Sequence, residues 1–200
     1  MPGSSKARLA REGIREMTSF CAEHNIEHEI CGKLVVASNR AELPLLEEIF
    51  NRGVANGLQG LRRLSGAEAK EIEPHVNAKS AILVPEEGIA DYGRVCATLE
   101  ILLIEAGADI VTGAEVRLLE RRSGLWRITT TSGCFESRMI VNCAGLHSDR
   151  IVTMAGGNPG CRIVPFRGEY HRLSPEREHL VRHLIYPLPE PGFPFLGVHF

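Results

Sequence analysis

The chain has 200 residues, 44% of them hydrophobic and 24% charged, with a formal net charge of -2 at pH 7. That composition fits one globular domain, or one and a half, with enough apolar side chains for a real core. It excludes a disordered chain and a basic nucleic-acid binder: Arg62–Arg63 and Arg121–Arg122 sit among acidic neighbours and read as solvated faces.

Ser4 or Ser5 is placed to cap a helix on which Ala10, Ile14, Met17 and Cys21 recur at helical spacing, ending near His24–Asn25. Cys31–Ala37 reads as a buried strand closed by Ser38–Asn39. A helix over Glu42 to Asn56 follows, with Leu43, Leu46, Ile49 and Phe50 on one face. Pro44 suits its first turn and Gly57 its end. Ser65 and Glu68 have the spacing of a capping box, which predicts a short helix that stops before Pro74. Ala81–Val84 is a short strand ended by Pro85.

Asp91 is placed to cap a long helix bearing Val95, Leu99, Leu102 and Leu103, closed by Gly107. Strands are predicted at Asp109–Thr112, Glu115–Glu120, Trp126–Thr130 and Phe135–Ile140, with Ser123–Gly124 and Ser132–Gly133 as turns. Ile140–Cys143 reads as a buried strand running into a small-residue turn at Ala144–Gly145. In an open α/β sheet, ligands sit beyond the carboxyl ends of the strands, and a glycine there lets a ligand approach the backbone. An ordinary glycine turn after a buried strand is the alternative. Arg150–Ala155 is a short helix ended by Gly156–Gly157. Ile163–Leu173 reads as a strand, and the Pro-rich end from Tyr186 becomes strand-like at Phe195–His199.

The six cysteines, Cys21, Cys31, Cys96, Cys134, Cys143 and Cys161, include no C-x-x-C pair, so the spacing suggests neither a zinc site nor a disulfide framework. Most are expected to be small buried hydrophobes. The longest apolar stretch, Leu99–Ile104, is far shorter than a membrane span, and no signal-peptide core follows the first residues. The expected location is cytoplasmic or peripheral to the inner membrane.

Six stretches occur in one order along nearly the whole chain: Pro2–Leu9, Cys31–Ala37, Gly88–Tyr92, Val141–Asp149, Ile163–Tyr170 and Pro194–His199. Together they resemble the L-2-hydroxyglutarate oxidase/dehydrogenase branch of the D-amino-acid-oxidase-like FAD-dependent oxidoreductases. The resemblance implies an α/β, mixed α+β, fold: part of a Rossmann-like FAD domain with an inserted substrate domain that carries a mixed or antiparallel sheet. It implies a linking helix over 1–30, the substrate domain over 31–87 and 161–200, and the FAD domain over 88–160. The family's strand–G-x-G-x-x-G–helix unit and its later glycine-rich flavin segment are not in this sequence. Gly156–Gly157–Asn158–Pro159–Gly160 lacks the helix that such a motif needs. The chain therefore reads as an internal segment.

The implied reaction is oxidation of L-2-hydroxyglutarate to 2-oxoglutarate, with FAD taking the hydride. The implied partners are a 2-hydroxy dicarboxylate and an electron acceptor, which is oxygen, a quinone or a carrier protein. Carboxylates call for Arg, and the hydroxyl proton calls for a base such as His. On the catalytic side, the resemblance implies Arg167, Tyr170 and His199. Their plain alternatives are a surface ion pair, amphipathic packing and a histidine bonded within the sheet. Strand alternation places His171 opposite Tyr170. On the cofactor side it implies Val116, Cys143, Ala144, Gly145 and His147, against the alternatives of a plain strand valine and a structural histidine. Two other functions stay open: a non-catalytic remnant or subunit that holds no FAD alone, and a sister oxidoreductase for another α-hydroxy or α-amino acid.

Overall fold

A serine hydroxyl starts the first helix: Ser4 Oγ accepts from the Ala7 N–H at 3.2 Å and caps α1 (Ser5–Glu23). The structure, a computed structural model, describes residues 2–189, 192 and 197–200. It divides into two compact units, one built from the residues up to Leu102 together with Arg172–Phe200, the other from Leu103–His171.

In the first unit, α1 buries Cys21 against Ile26 and Val95. The chain then forms β1 (His28–Glu29), β2 (Lys33–Ala37), a 3-10 turn at Arg40–Glu42 and α2 (Leu43–Ala55). β3 (Arg62–Ser65) leads into α3 (Gly66–Ile72), whose capping box is complete: Glu68 N–H donates to Ser65 Oγ, and Ser65 N–H donates back to the Glu68 carboxylate. β4 (Ser80–Val84), β5 (Ile89–Ala90) and α4 (Tyr92–Glu105) follow. β1 pairs with β5, a bridge too short to show any periodicity in the sequence. Gly88 permits it, because a Cβ there would strike the Glu29 carbonyl oxygen.

β2 explains the rest of this unit. It is a central strand, antiparallel to β4 on one side and parallel to β9 (Leu184–Pro187) on the other, in a sheet of order β3-β4-β2-β9. Both faces of that sheet are covered. Leu34 and Val36 pack with Leu64, Ala69, Val76 and Ala81, while Ala37 packs with Leu46, Phe50, Ile82 and Val84. This is why the sequence there is a continuous apolar run rather than an alternating one. The fully buried Leu34 and Leu64 contribute roughly 1.5–3 kcal/mol each. β3 was not expected from the sequence, because its two arginines looked only solvated. Arg63 is indeed exposed, but it stacks on Phe50 at 3.4 Å and pairs with Glu47.

Glu73 closes the parallel edge. It follows α3, is completely buried, and its Oε1 accepts from Arg182 N–H (2.8 Å), His183 N–H (2.6 Å) and His183 Nδ1 (2.8 Å). Its Oε2 has no hydrogen-bond partner among the described residues.

The second unit is an antiparallel meander, β6 (Val116–Arg122), β7 (Leu125–Thr130) and β8 (Gly133–Ser137), followed by a 3-10 turn at Gly145–His147 and α5 (Ser148–Met154). Three expected strands are absent. Asp109–Thr112, Ile140–Cys143 and Ile163–Leu173 form no ladder, and Val141 is 77% exposed and Phe166 68% exposed. An apolar run is a strand only where another strand meets its N–H and C=O groups, and no described strand does so here. The face of α4 expected to be buried is likewise open beyond Val95, at Leu99 and Leu103. Most of the cysteines were expected inside, but only Cys21 is buried; Cys31 is half-buried and Cys96, Cys134, Cys143 and Cys161 are exposed. The expected strand at Phe195–His199 falls partly outside the described residues. Its described part forms no assigned strand, although Phe200 exchanges two backbone hydrogen bonds with Ile185. Among the described residues, no helix is long and apolar enough to cross a membrane.

Two measurements check this picture. Glu73→Ala should lower unfolding stability by roughly 2–4 kcal/mol, since it strands three buried or half-buried donors. Glu73→Gln, which keeps an acceptor, should lose clearly less; equal losses in urea unfolding would mean that the charge, not the acceptor, holds the edge. In the second unit, the Asp149 carboxylate accepts from Ile163 N–H at 3.0 Å, and this bond, ahead of a further one from Arg150 N–H, lowers its pKa from 3.8. A lowered carboxylate contributes stability that is present above its unfolded pKa and lost as pH falls through the folded one. Hydrogen-exchange protection of the Ile163 amide should therefore hold at neutral pH and fade only below 3.8. Asp149→Ala should remove it at every pH.

Candidate functional site

The turn at Ala144–Gly145 is built by its own sequence. Asn142 Oδ1 accepts from the Ala144 N–H at 3.1 Å, and Asn142 Nδ2 donates to the Ser148 carbonyl at 2.9 Å. That is an Asx turn, which Asn favours because its side chain imitates the backbone. Gly145 then takes φ +53°, and a Cβ there would meet nothing within 4 Å. The His147 N–H closes the 3-10 turn onto the Ala144 carbonyl at 3.0 Å, and the exposed His147 leads into α5. Cys143 is exposed and Ala144 half-buried.

Val116 opens β6 at a bulge. It pairs with Thr130 and Leu118 pairs with Thr129, so Arg117 is left out of register. A bulge of this kind ends ladder pairing early and re-aims the backbone. Val116 is half-buried. Arg167 and Tyr170 lie on the exposed segment of the same unit. Arg167 faces Glu169 at 3.7 Å with both side chains largely in solvent, a weak pair, and Tyr170 is 89% exposed.

His199 belongs to the other unit. Its Nδ1 lies 2.9 Å from the Gly197 carbonyl, and its ring is 4.7 Å from that of Tyr186, tilted by 35°. Lys33 Nζ stands 5.1 Å from the Tyr186 ring centre and pairs with Glu87 at 2.8 Å. Beside them, Val36, Ile185, Tyr186, Leu188, Val198 and Phe200 help line a cavity of about 430 Å³. Glu42 also lines it, with its carboxyl held below the usual range, first by the Ser38 N–H at 2.6 Å. The structure thus groups His199 with residues that the sequence did not single out: Tyr186, Lys33 and Glu87. Lys33 did leave a signal, as a lone charge in an otherwise apolar strand. Glu73 and His183 left none, because only the β2–β9 pairing brings them together.

The second unit presents an open, partly apolar surface around this turn. The open space at Gly145, the neighbouring exposed Val141 and Leu146, and the bulged backbone at Val116 suit a flat, partly apolar group bound through main-chain atoms.

The sequence model of the FAD dependent oxidoreductase family, DAO, matches residues 1–200. The chain is similar to an L-2-hydroxyglutarate dehydrogenase of Indibacter alkaliphilus, at 42% identity over 100% of this chain and 50% of that protein. It is also similar to the mitochondrial L-2-hydroxyglutarate dehydrogenase of Homo sapiens, at 38% identity over 100% of this chain and 46% of that protein. The chain spans about half the length of these relatives. Among solved structures, the L-alpha-glycerophosphate oxidase of Mycoplasma pneumoniae with FAD bound superposes with a TM-score of 0.73 at 19% identity, over 94% of this chain and 51% of that one. Glycine oxidase from Geobacillus kaustophilus gives 0.71 at 22% identity, over 78% and 44%. At such identities the likeness carries the fold, a mixed α/β architecture shared with FAD-dependent oxidases. Matched along its whole length, the chain belongs to the DAO family of FAD-dependent oxidoreductases.

Proposed function

We propose that the protein containing this chain oxidises L-2-hydroxyglutarate to 2-oxoglutarate. The observation that carries this reading is the identity of 38–42% to L-2-hydroxyglutarate dehydrogenases over the entire chain. FAD, when bound, supplies the two-electron acceptor for the hydride from C2. On this reading Cys143, Ala144, Gly145 and His147 border the flavin, and Val116 holds its adenine end through main-chain groups. Residues 88–160 then belong to the FAD domain, and residues 31–87 and 161–200 to the substrate domain.

The substrate brings two carboxylates and one hydroxyl. Arg167 binds a carboxylate through its planar fork, exchanging its weak contact with Glu169 for a charge-assisted pair. Tyr170 donates a hydrogen bond to the same substrate. His199 takes the hydroxyl proton as C2 loses its hydride. The electron acceptor that reoxidises the flavin is oxygen, a quinone or a carrier protein.

Mixing the FAD-loaded protein anaerobically with L-2-hydroxyglutarate should bleach the oxidised flavin absorbance and yield one 2-oxoglutarate per flavin. Glycine, L-proline and glycerol phosphate should leave the absorbance unchanged. Bleaching by one of those alone would transfer the assignment to a sister oxidoreductase.

A second reading concerns the segment by itself, and exposed Val141 and Met139 favour it. On this reading, residues 1–200 alone offer one wall of the flavin site and retain no cofactor. Titrated with FAD, the isolated segment should stay colourless after desalting, whereas co-expression with the remaining half of the protein should give a yellow complex. A yellow isolated segment would end this reading.

A further inference from the structure

We propose that Tyr186 is a positioning residue for His199. It fixes the plane of the imidazole while the Gly197 carbonyl fixes its tautomer, so that Nε2 is the atom that receives the substrate's hydroxyl proton. The inference rests on the reading of His199 as the base and deepens it.

The tautomer follows from hydrogen-bond chemistry. A carbonyl oxygen only accepts, so Nδ1, 2.9 Å from the Gly197 oxygen, carries the hydrogen. The lone pair of the neutral ring is then on Nε2. A single bond to a carbonyl two residues away lets the ring swing out of it and exchange tautomers, and Tyr186 against the imidazole keeps the ring in that bond. Ile185 and Phe200 exchange both backbone hydrogen bonds at 3.0 Å, the signature of an antiparallel hydrogen-bonded pair. One step along that pairing places Tyr186 directly opposite His199, on one face and at non-hydrogen-bonded spacing, where side chains are closest. The ring distance of 4.7 Å is therefore a consequence of register.

Tyr186 is itself held. It sits in β9 opposite Val35 of β2, and the Lys33 ammonium lies 5.1 Å from its ring centre, in cation–π range. Lys33 is anchored at 2.8 Å by Glu87. Glu87, Lys33, Tyr186 and His199 form one chain of contacts within the first unit. Glu42 and His75 are titratable groups that line the same cavity as Tyr186.

In the step this geometry serves, the substrate O–H bond breaks and its proton bonds to Nε2. The electron pair left on oxygen becomes the second bond of the C2 carbonyl as the C2–H pair leaves as hydride to the flavin. Nothing touches substrate through Tyr186; its effect passes through the aim of the imidazole. Misplacement of a reacting group by about 1 Å costs on the order of 100-fold in rate.

The test uses the FAD-loaded protein labelled with nitrogen-15 histidine, with His199 assigned by its loss in His199→Gln. Nitrogen shifts should show the Nδ1–H tautomer for His199 in the wild type and in Tyr186→Phe. Tyr186→Leu should give a mixture of tautomers, while the Ile185 and Phe200 amides stay protected. An Nε2–H tautomer in the wild type, or an unchanged His199 in Tyr186→Leu, overturns the proposal. Should Tyr186→Leu lose the Ile185–Phe200 pairing, Lys33→Met decides. It leaves β9 in place and should shift the His199 mixture in the same direction, and no shift overturns the proposal. In turnover with L-2-hydroxyglutarate, Tyr186→Leu should lower kcat about 10–100-fold with little change in KM, and Tyr186→Phe should restore it. If His199→Gln kept full kcat, the base reading and the proton transfer would fall, a failure separate from that of the tautomer.

Discussion

A single buried carboxylate closes the first unit. Glu73 accepts three hydrogen bonds on one oxygen from Arg182 and His183, more than a hundred positions along the chain. The donors it satisfies lie just ahead of β9, the strand that must run parallel to β2. Parallel pairing gives a strand no hairpin to hold it, so its ends need fixing by other means. Glu73, at the end of α3, meets that need at the start of β9. The cost is a fully buried carboxyl with a second oxygen that has no partner among the described residues. Such a cost persists when the three bonds it makes hold an element in register.

Register is what that bond delivers to the neighbouring segments. With β9 seated, Ile185 meets Phe200, and the next residues along, Tyr186 and His199, face each other. Lys33 reaches the tyrosine because it starts the neighbouring strand. His199, near the end of the sequence, thus makes its contacts with Tyr186 of β9 and with the Gly197 carbonyl of its own turn.

The second unit follows another logic. Its meander is held by local hairpins, which close at little entropic cost, and the turn at Ala144–Gly145 is made by Asn142 and Gly145. What it lacks is a cover for Val141, Met139, Leu146 and Phe166. Exposed apolar surface on this scale marks a face meant to meet another layer. The chain spans about half of the length of the relatives it matches.

Local chemistry was legible in the sequence. The Ser4 cap, the Ser65–Glu68 box, Pro44, the Asp91 and Gly107 helix ends and the hairpin glycines all act within a few residues, and each formed as expected. The six ordered stretches disclosed the family for the same reason: they are local words in a fixed order. Strands were legible only where partners exist. Cys31–Ala37 and Ala81–Val84 found them, whereas Ile140–Cys143 and Ile163–Leu173, equally apolar on paper, did not. Pairings across long sequence separation left no trace beforehand: Glu73 with His183, Tyr186 with His199, Lys33 over Tyr186. A hydrogen bond or a ring contact depends on where two distant segments are laid down, and the packing of β2, β4 and β9 decided that.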